Sequence, residues 1–255
     1  MRDKGEQRTK AIILAAGRST RLRPLTEEVP KCLLYLSDET ILDYQMRRLA
    51  KLEIECALIV AGYKRGLIQK HIKKSDYDLP LTIVDNKSFY ETDNAFSLSL
   101  ALEHVDPAVD AVLVLDGDIL FEFELLRRLI QSPHDNACIV ENGKKIQPED
   151  CKIVVKNGSA ASIGKSVPGN AVYTSMIKMS NGLLKEFKQA LKEPRARREW
   201  YSEPLNRLLL ESPSAMHVIY TNGMLRCEID TYDDLIHARA IRQRITQLEH
   251  GTHEV

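Results

Sequence analysis

Short apolar runs recur at residues 11–16, 56–61, 81–84 and 111–115, each bounded by polar or glycine-containing stretches. Runs of that length, rich in strand-favouring side chains, predict buried β-strands. Between them the spacing turns helical, as with Leu42, Met46, Leu49 and Leu52. Strands alternating with helices predict an α/β fold with a mainly parallel sheet covered on both faces. Ligands of such sheets bind beyond the carboxyl ends of the strands, so the loops after Ala16 and Leu115 are expected to be neighbours in space. Beyond Pro133 the pattern loosens into short strands with Gly and Asn turns, which predict a small antiparallel hairpin insertion. Helices are expected again at about 181–192 and 201–211, and a final amphipathic helix carries Leu235, Ala238, Ile241, Ile245 and Leu248.

With 255 residues and 44% hydrophobic content, the chain is long enough to bury a full core as a single domain, 1–255. Lys+Arg and Asp+Glu both number 36, so no global field attracts nucleic acid or an anionic membrane, and a basic site must be local. The strongest charge run, KEPRARREW at 192–200, reads as a solvated helix junction. Cys32, Cys56, Cys138, Cys151 and Cys227 stand singly, without a C-x-x-C pair or a His cluster, which argues against structural zinc and a disulfide framework and for a reducing, cytoplasmic setting. The charged start MRDKGEQRTK and the short run at 11–16 offer neither a membrane span nor a signal peptide.

The local basic site is easy to find. In AIILAAGRSTRLRPLTEEVPKCLL, residues 11–34, the cations Arg18, Arg21, Arg23 and Lys31 crowd just past a strand end marked by Gly17. Glycine lets backbone N–H groups approach phosphate oxygens while the cations neutralise their charge. The pattern is neither a P-loop nor G-x-G-x-x-G. Carboxylates come from two other segments. VLVLDGDILF sets Asp116 and Asp118 on one face of a strand end, a natural place for Mg²⁺, which prefers hard oxygen donors. LRCEIDTYDDLIHARAI carries Glu228, Asp230, Asp233 and Asp234, the last two read as first-turn helix acids. His71 and His104 are read as surface or capping residues.

The segment LAAGRSTRLRPLTEEVPKCLL resembles the signature of nucleotidyltransferases that join a nucleoside triphosphate to a phosphorylated small molecule, L-A-A-G-x-G-x-R-L-x-P-L-T followed by P-K. Leu14, Ala15, Ala16, Gly17, Arg21, Leu22, Pro24, Leu25, Thr26, Pro30 and Lys31 match, and Ser19 stands where the family usually has its second Gly. The resemblance implies a Rossmann-like, GT-A-like fold with a mixed, mainly parallel sheet flanked by helices. By it, Leu14, Ala15, Ala16 and Gly17 cradle base and sugar, with Arg18, Ser19 and Thr20 completing the nucleotide loop. Arg21 and Lys31 are the catalytic cations: Arg21 faces the β and γ phosphates, and Lys31 approaches the α phosphate and the acceptor. Asp118 and Asp230 are implied to hold Mg²⁺, with Asp116 orienting Asp118 beside the nucleotide.

The middle block DNKSFYETDNAFSLSLALE is similar to the N-x-x-Y-x-x-T-N-N-x-x-S-L segment of phosphocholine and 2-aminoethylphosphonate cytidylyltransferases, with Asn86, Tyr90, Asn94, Ser97 and Leu98 in register and Asp93 replacing the first Asn of the pair. REWYSEPLNRLL resembles that family's Y-x-E-x-L-x-x-L helix near the acceptor. Tyr90, Asn94, Trp200, Tyr201 and Glu203, together with Lys31, are therefore the expected acceptor-binding residues. An aromatic face or an acid suits the cationic head of such an acceptor. The G-E-x-x-G-I segment of hexose-1-phosphate enzymes is replaced by GNAVYTSMIKMS. The resemblance implies Mg²⁺-dependent transfer from CTP to phosphocholine, 2-aminoethylphosphonate or a similar ester, with 10–132 as nucleotide-binding core, 133–230 as acceptor-binding part and 231–250 as closing helix. The implied partners are these small molecules, not nucleic acid or membrane, and a homodimer is left open. Two alternatives stand beside this: a sugar-1-phosphate nucleotidyltransferase, and a catalytically silent nucleotide-binding regulator, against which the joint presence of Arg21, Lys31, Asp118 and Asp230 argues.

Overall fold

A computed structural model describes residues 8–143, 145–212 and 215–251. Residues 1–7 of the charged amino-terminal stretch lie outside the described residues. The strands β1 (Thr9–Ala15), β2 (Cys56–Ala61), β3 (Leu81–Asp85) and β4 (Ala111–Asp116) lie parallel in the order β3-β2-β1-β4. Their continuous apolar runs reflect burial on both faces. Ile12 and Leu14 of β1 point into one core layer while Ala11 and Ile13 point into the other, as the two-residue period of a strand requires.

The helices α1 (Leu25–Glu28), α2 (Ile41–Leu49), α3 (Arg65–Ile72), α4 (Asn94–Glu103) and α5 (Phe123–Ile130) link these strands and lead into the second half of the chain. Ala95, Leu98 and Leu102 of α4 cover one face of the sheet, and Leu42, Met46 and Leu49 of α2 join Leu125, Leu126 and Leu129 of α5 on the other. Helix α2 starts at a capping box: Asp43 N donates to Thr40 Oγ1 at 3.1 Å and Thr40 N donates back to Asp43 Oδ2 at 3.1 Å. The His71 ring is hydrogen-bonded to Asp43 Oδ1 at 2.8 Å, tying α3 to that cap.

The second half adds β5 (Ile119–Phe121), β6 (Ala137–Glu141), β7 (Lys152–Lys156), β8 (Ser159–Gly164), β9 (Ala171–Ser180), α6 (Asn181–Leu191), α7 (Ser202–Glu211), β10 (His217–Tyr220), β11 (Arg226–Glu228) and α8 (Tyr232–Gly251). The hairpin β7–β8 is antiparallel, as the turn residues predict. The rest differs from a simple insertion. Strand β9 is shared: residues 176–180 pair antiparallel with β4, Ile177, Lys178, Tyr173 and Val172 pair with β6, and Ala171 and Val172 pair with β7. Strand β10 returns parallel to β6 and touches β8, so β9, β6, β10, β8 and β7 close into a ring. The sheet is thus mixed, as expected, with the parallel strands β3-β2-β1-β4 joined to the ring through β9, a ten-residue strand that serves both sets of neighbours. Helix α8 buries Leu235, Ala238, Ile241 and Ile245 against Leu22, Leu36 and Tyr44, whereas Leu248, placed on the same stripe from sequence, stays 54% exposed.

Candidate active site

Strands β1 and β4 run side by side and end together, which brings residues 14–17 and 116–118 to one sheet edge. Gly117 N donates to Leu14 O at 2.9 Å. A Cβ at position 117 would sit 2.7 Å from that same oxygen, so only glycine lets the two strand ends touch. The two loops expected to be neighbours are therefore hydrogen-bonded. A Cβ at Gly17, by contrast, would meet nothing within 4 Å, because that position faces the open cleft. Ser19 adopts φ 50 and ψ 52, the left-handed conformation that glycine takes without cost. Thr26 Oγ1 donates to Ser19 O at 2.9 Å and holds the loop there.

Charge concentrates where these loops meet the segment before α8. Lys31 Nζ lies 2.8 Å from Asp118 Oδ2, 2.9 Å from Asp230 Oδ1 and 2.8 Å from the carbonyl oxygen of Ile229. Arg21 contacts the other oxygen of Asp230 at 2.9 Å. Burial alone would lower the Lys31 pKa, but the carboxylates of Asp118 and Asp230 outweigh it and hold the ammonium above its ordinary value. Burial likewise opposes ionisation of Asp230, and Lys31 followed by Arg21 overcomes it and keeps the carboxyl below the usual range. At Asp116, burial and then the charge of Asp118 outweigh a hydrogen bond from Ser175 and push the carboxyl well above the usual range.

Glu228 joins Asp118 and Asp230, and one carboxylate oxygen from each lies within 4.8 Å of the others. Burial, then Asp118 and Asp230, push Glu228 up to about 7. The side-chain oxygens Asp116 Oδ1 and Asp118 Oδ1 are buried without a hydrogen-bond partner. Three hard carboxylates within reach of one another, with one Asp118 oxygen left without a partner, suit a divalent cation such as Mg²⁺. Glu228 stands in the E-I-D segment without a local signal that marks it as a ligand. Strand β11 pairs Glu228 with Ile119 of β5, next to Asp118, and only that pairing brings it in.

Two cavities meet at this cluster. A cleft of about 240 Å³ is lined by Leu14, Ala15, Ala16, Gly17, Ser19, Lys31 and Asn86 among others. A larger cavity of about 610 Å³ runs beside it toward the ring of strands and carries Lys165, Tyr173, Tyr201 and Arg226. Arg21, Asn94, Asp116, Trp200, Glu228 and Asp230 border both. Asn94 Oδ1 accepts from Tyr201 N at 2.8 Å, locking the start of α4 to the start of α7. Tyr201 is buried, and its hydroxyl lies 2.8 Å from that of Tyr173.

Other expected site residues fall elsewhere. Arg18 and Thr20 line neither cavity, and the Arg18 guanidinium stacks 4.7 Å from the ring centre of Tyr90. Tyr90 is 65% exposed and packs on Phe89 rather than facing either cavity. Glu203 lines neither cavity, its carboxylate lying against Gly164 at the end of β8. The charge run at 192–200 is more than a solvated junction, because it supports the first turn of α4. Arg197 O accepts from Asp93 N at 2.9 Å, and the Arg197 guanidinium stacks 4.0 Å over Phe96. Lys165 and Tyr173 carry no local signal, since only closure of the ring brings them to the cavity.

The MobA-like NTP transferase domain matches residues 11–206. The chain is 30% identical over 176 residues to the mannose-1-phosphate guanylyltransferase catalytic subunit beta of Xenopus tropicalis, covering 68% of this chain and 48% of that protein. It is 25% identical over 236 residues to the CTP:phosphoglutamine cytidylyltransferase of Campylobacter jejuni, covering 88% of this chain and 89% of that one. The chain therefore spans about half the length of the first relative and nearly all of the second. The inositol-1-phosphate CTP transferase structure from T. maritima superposes with a TM-score of 0.78 at 24% identity, covering 94% of this chain and 96% of that one, which shows the shared α/β nucleotidyltransferase fold. Among the described residues no helix is long and apolar enough to cross a membrane.

Proposed function

Because the chain belongs to the MobA-like NTP transferase domain family, we propose that it transfers a cytidylyl group from CTP to a small phosphate or phosphonate with a cationic head, such as phosphocholine or 2-aminoethylphosphonate, releasing pyrophosphate. The observation that carries the reading is Lys31, whose ammonium is held by Asp118 and Asp230 beside the junction of the two cavities. The smaller cleft, floored by the glycine loop, takes the nucleotide. The larger cavity takes the acceptor.

A phosphate or phosphonate acceptor is already ionised near neutral pH, so its oxygen can attack the α phosphorus in line without a general base. What the protein must supply is position and positive charge. Arg21 and Lys31 supply the charge at the side where the pyrophosphate leaves and where the attacked phosphorus gains charge. Asp118, Asp230 and Glu228 would hold Mg²⁺, which neutralises phosphate charge when bound. Asn94 fixes the wall between the cavities through the backbone of Tyr201.

The acceptor class is argued from the larger cavity. Apart from the carboxylates of the metal cluster and Glu141, which pairs with Arg226, its lining includes Glu149, Asp150, Asp233 and Asp234 together with Lys165, and Trp200 offers an aromatic face. Such a lining favours a cationic head. CTP is supported by the Campylobacter relative, whose name specifies it. A sugar-1-phosphate acceptor is the second reading, supported by the mannose-1-phosphate guanylyltransferase relative.

The deciding experiment is pyrophosphate release with Mg²⁺, crossing CTP, UTP, GTP and dTTP against phosphocholine, 2-aminoethylphosphonate, glucose-1-phosphate and inositol-1-phosphate. Release with CTP and an amino-alcohol ester is expected. Release with glucose-1-phosphate alone would transfer the same charged residues to the second reading, and silence throughout would leave a nucleotide-binding regulator.

A further inference from the structure

Trp200 is 43% exposed, borders both cavities and is the single tryptophan of the chain. One face of its ring is already taken. Lys165 Nζ lies 3.8 Å from the ring centroid, well inside the range of a cation–π contact. Among the described residues Lys165 forms no ion pair or side-chain hydrogen bond, although the cavity around it is rich in carboxylates. Its backbone is fixed separately, because Lys152 Nζ donates to Lys165 O at 2.6 Å. The main chain is thus pinned while the side chain rests on the indole alone. A contact held only by a partly exposed aromatic ring is weak and exchangeable.

We propose that Lys165 is a specificity-determining stand-in cation, occupying the Trp200 face in the free protein and giving it up to the positively charged head of the acceptor. The proposal rests on the cationic-acceptor reading above. An arriving quaternary ammonium is more weakly hydrated than a lysine ammonium and gains more from the same ring. Lys165 swings into the solvated, acid-lined part of the cavity as the head arrives. The consequence is a threshold: a neutral head cannot displace Lys165 and finds the aromatic face covered, a primary ammonium gains nothing over it, and a quaternary ammonium exchanges for it. The apparent affinity of the head is reduced by the fraction of molecules in which the ring is covered.

The single tryptophan gives a direct readout without turnover. Fluorescence of Trp200 is titrated with tetramethylammonium, a bare cation, and separately with inorganic phosphate, a bare anion, in wild type, Lys165→Met and Lys165→Arg. Methionine removes the charge with similar length, and arginine keeps it. Lys165→Met is expected to bind tetramethylammonium about 3- to 10-fold more tightly than wild type, and Lys165→Arg to stay within about twofold of wild type. Unchanged or weaker tetramethylammonium binding in Lys165→Met overturns the proposal, as does the absence of any fluorescence change with tetramethylammonium in all three proteins. Loss of phosphate binding in Lys165→Met without tighter tetramethylammonium binding also overturns it, by making Lys165 a reader of the acceptor's anion. A sugar phosphate as the true acceptor, found by pyrophosphate release, would remove the acceptor reading and leave the exchange on Trp200 standing or falling by the titration alone.

Discussion

Lys31 Nζ sits 2.8 Å from Asp118 Oδ2, so a cation read from sequence as phosphate-facing and a carboxylate read as metal-binding hold each other. The side chain of Lys31 is 11% exposed and that of Asp118 is 21% exposed. Removing the lysine leaves carboxylates facing one another with little water to screen them. We expect Lys31→Ala to lower stability by about 3 kcal/mol, the low end of the range for breaking a buried pair. It should also lower turnover by about 100-fold or more, as loss of a preorganised charge does. Thermal melting and pyrophosphate release check the two separately, and near-normal turnover would remove Lys31 from the chemistry.

Asp230 is contacted by both Arg21 and Lys31 and belongs to the three-carboxylate cluster. If it also holds the metal, Asp230→Asn raises the Mg²⁺ concentration for half-maximal activity by at least about tenfold, by analogy with the loss of supporting carboxylates at metal sites. The measurement is a Mg²⁺ titration at saturating nucleotide. An unchanged midpoint would reduce Asp230 to an ion-pair partner of the two cations.

The hydroxyls of Tyr173 and Tyr201 lie 2.8 Å apart in the wall of the larger cavity, both buried. Phenylalanine at one position leaves the other hydroxyl buried without its partner. Each single change is expected to cost about 1–3 kcal/mol, while the double change costs less than the two together. Urea unfolding of the four proteins gives the coupling. Strict additivity would mean that the hydroxyls act independently.

Gly117 is predicted to be intolerant of any side chain. Its Cβ would lie 2.7 Å from Leu14 O and 3.0 Å from Ala15 Cβ, both within the sheet edge rather than on flexible groups. Gly117→Ala should destabilise by about 1–3 kcal/mol and reduce nucleotide binding together with stability, since the clash moves Asp116 and Asp118 away from the glycine loop. Retained melting temperature and activity would show that the strand ends can part without consequence.

The parallel half of the fold is legible in the sequence because its strands are buried on both faces and read as unbroken apolar runs at 56–61 and 111–115, which β2 and β4 reproduce to within a residue. The juxtaposition of Gly17 with Asp116 and Asp118 is a consequence of topology alone. The second half is less legible. Strands β10 and β11 are only four and three residues long, too short for a period to register, yet they carry ring closure and the delivery of Glu228. Tyr90 and Glu203 illustrate a different limit: a motif fixes which residue occurs, whereas packing on Phe89 or against Gly164 decides which way it faces. The sheet also runs across the boundary expected at 132/133, because β9 borrows β4 as its neighbour.

Closure of the ring leaves few unpaired strand borders. Among the described residues, the principal sheet has β3 as its free lateral border, a five-residue strand with Thr82 exposed and Asp85 beside Arg65. Short length and charge at a border discourage intermolecular strand pairing. Growth of the principal sheet by pairing with another copy would therefore start at β3, on the opposite border of that sheet from the ring of strands.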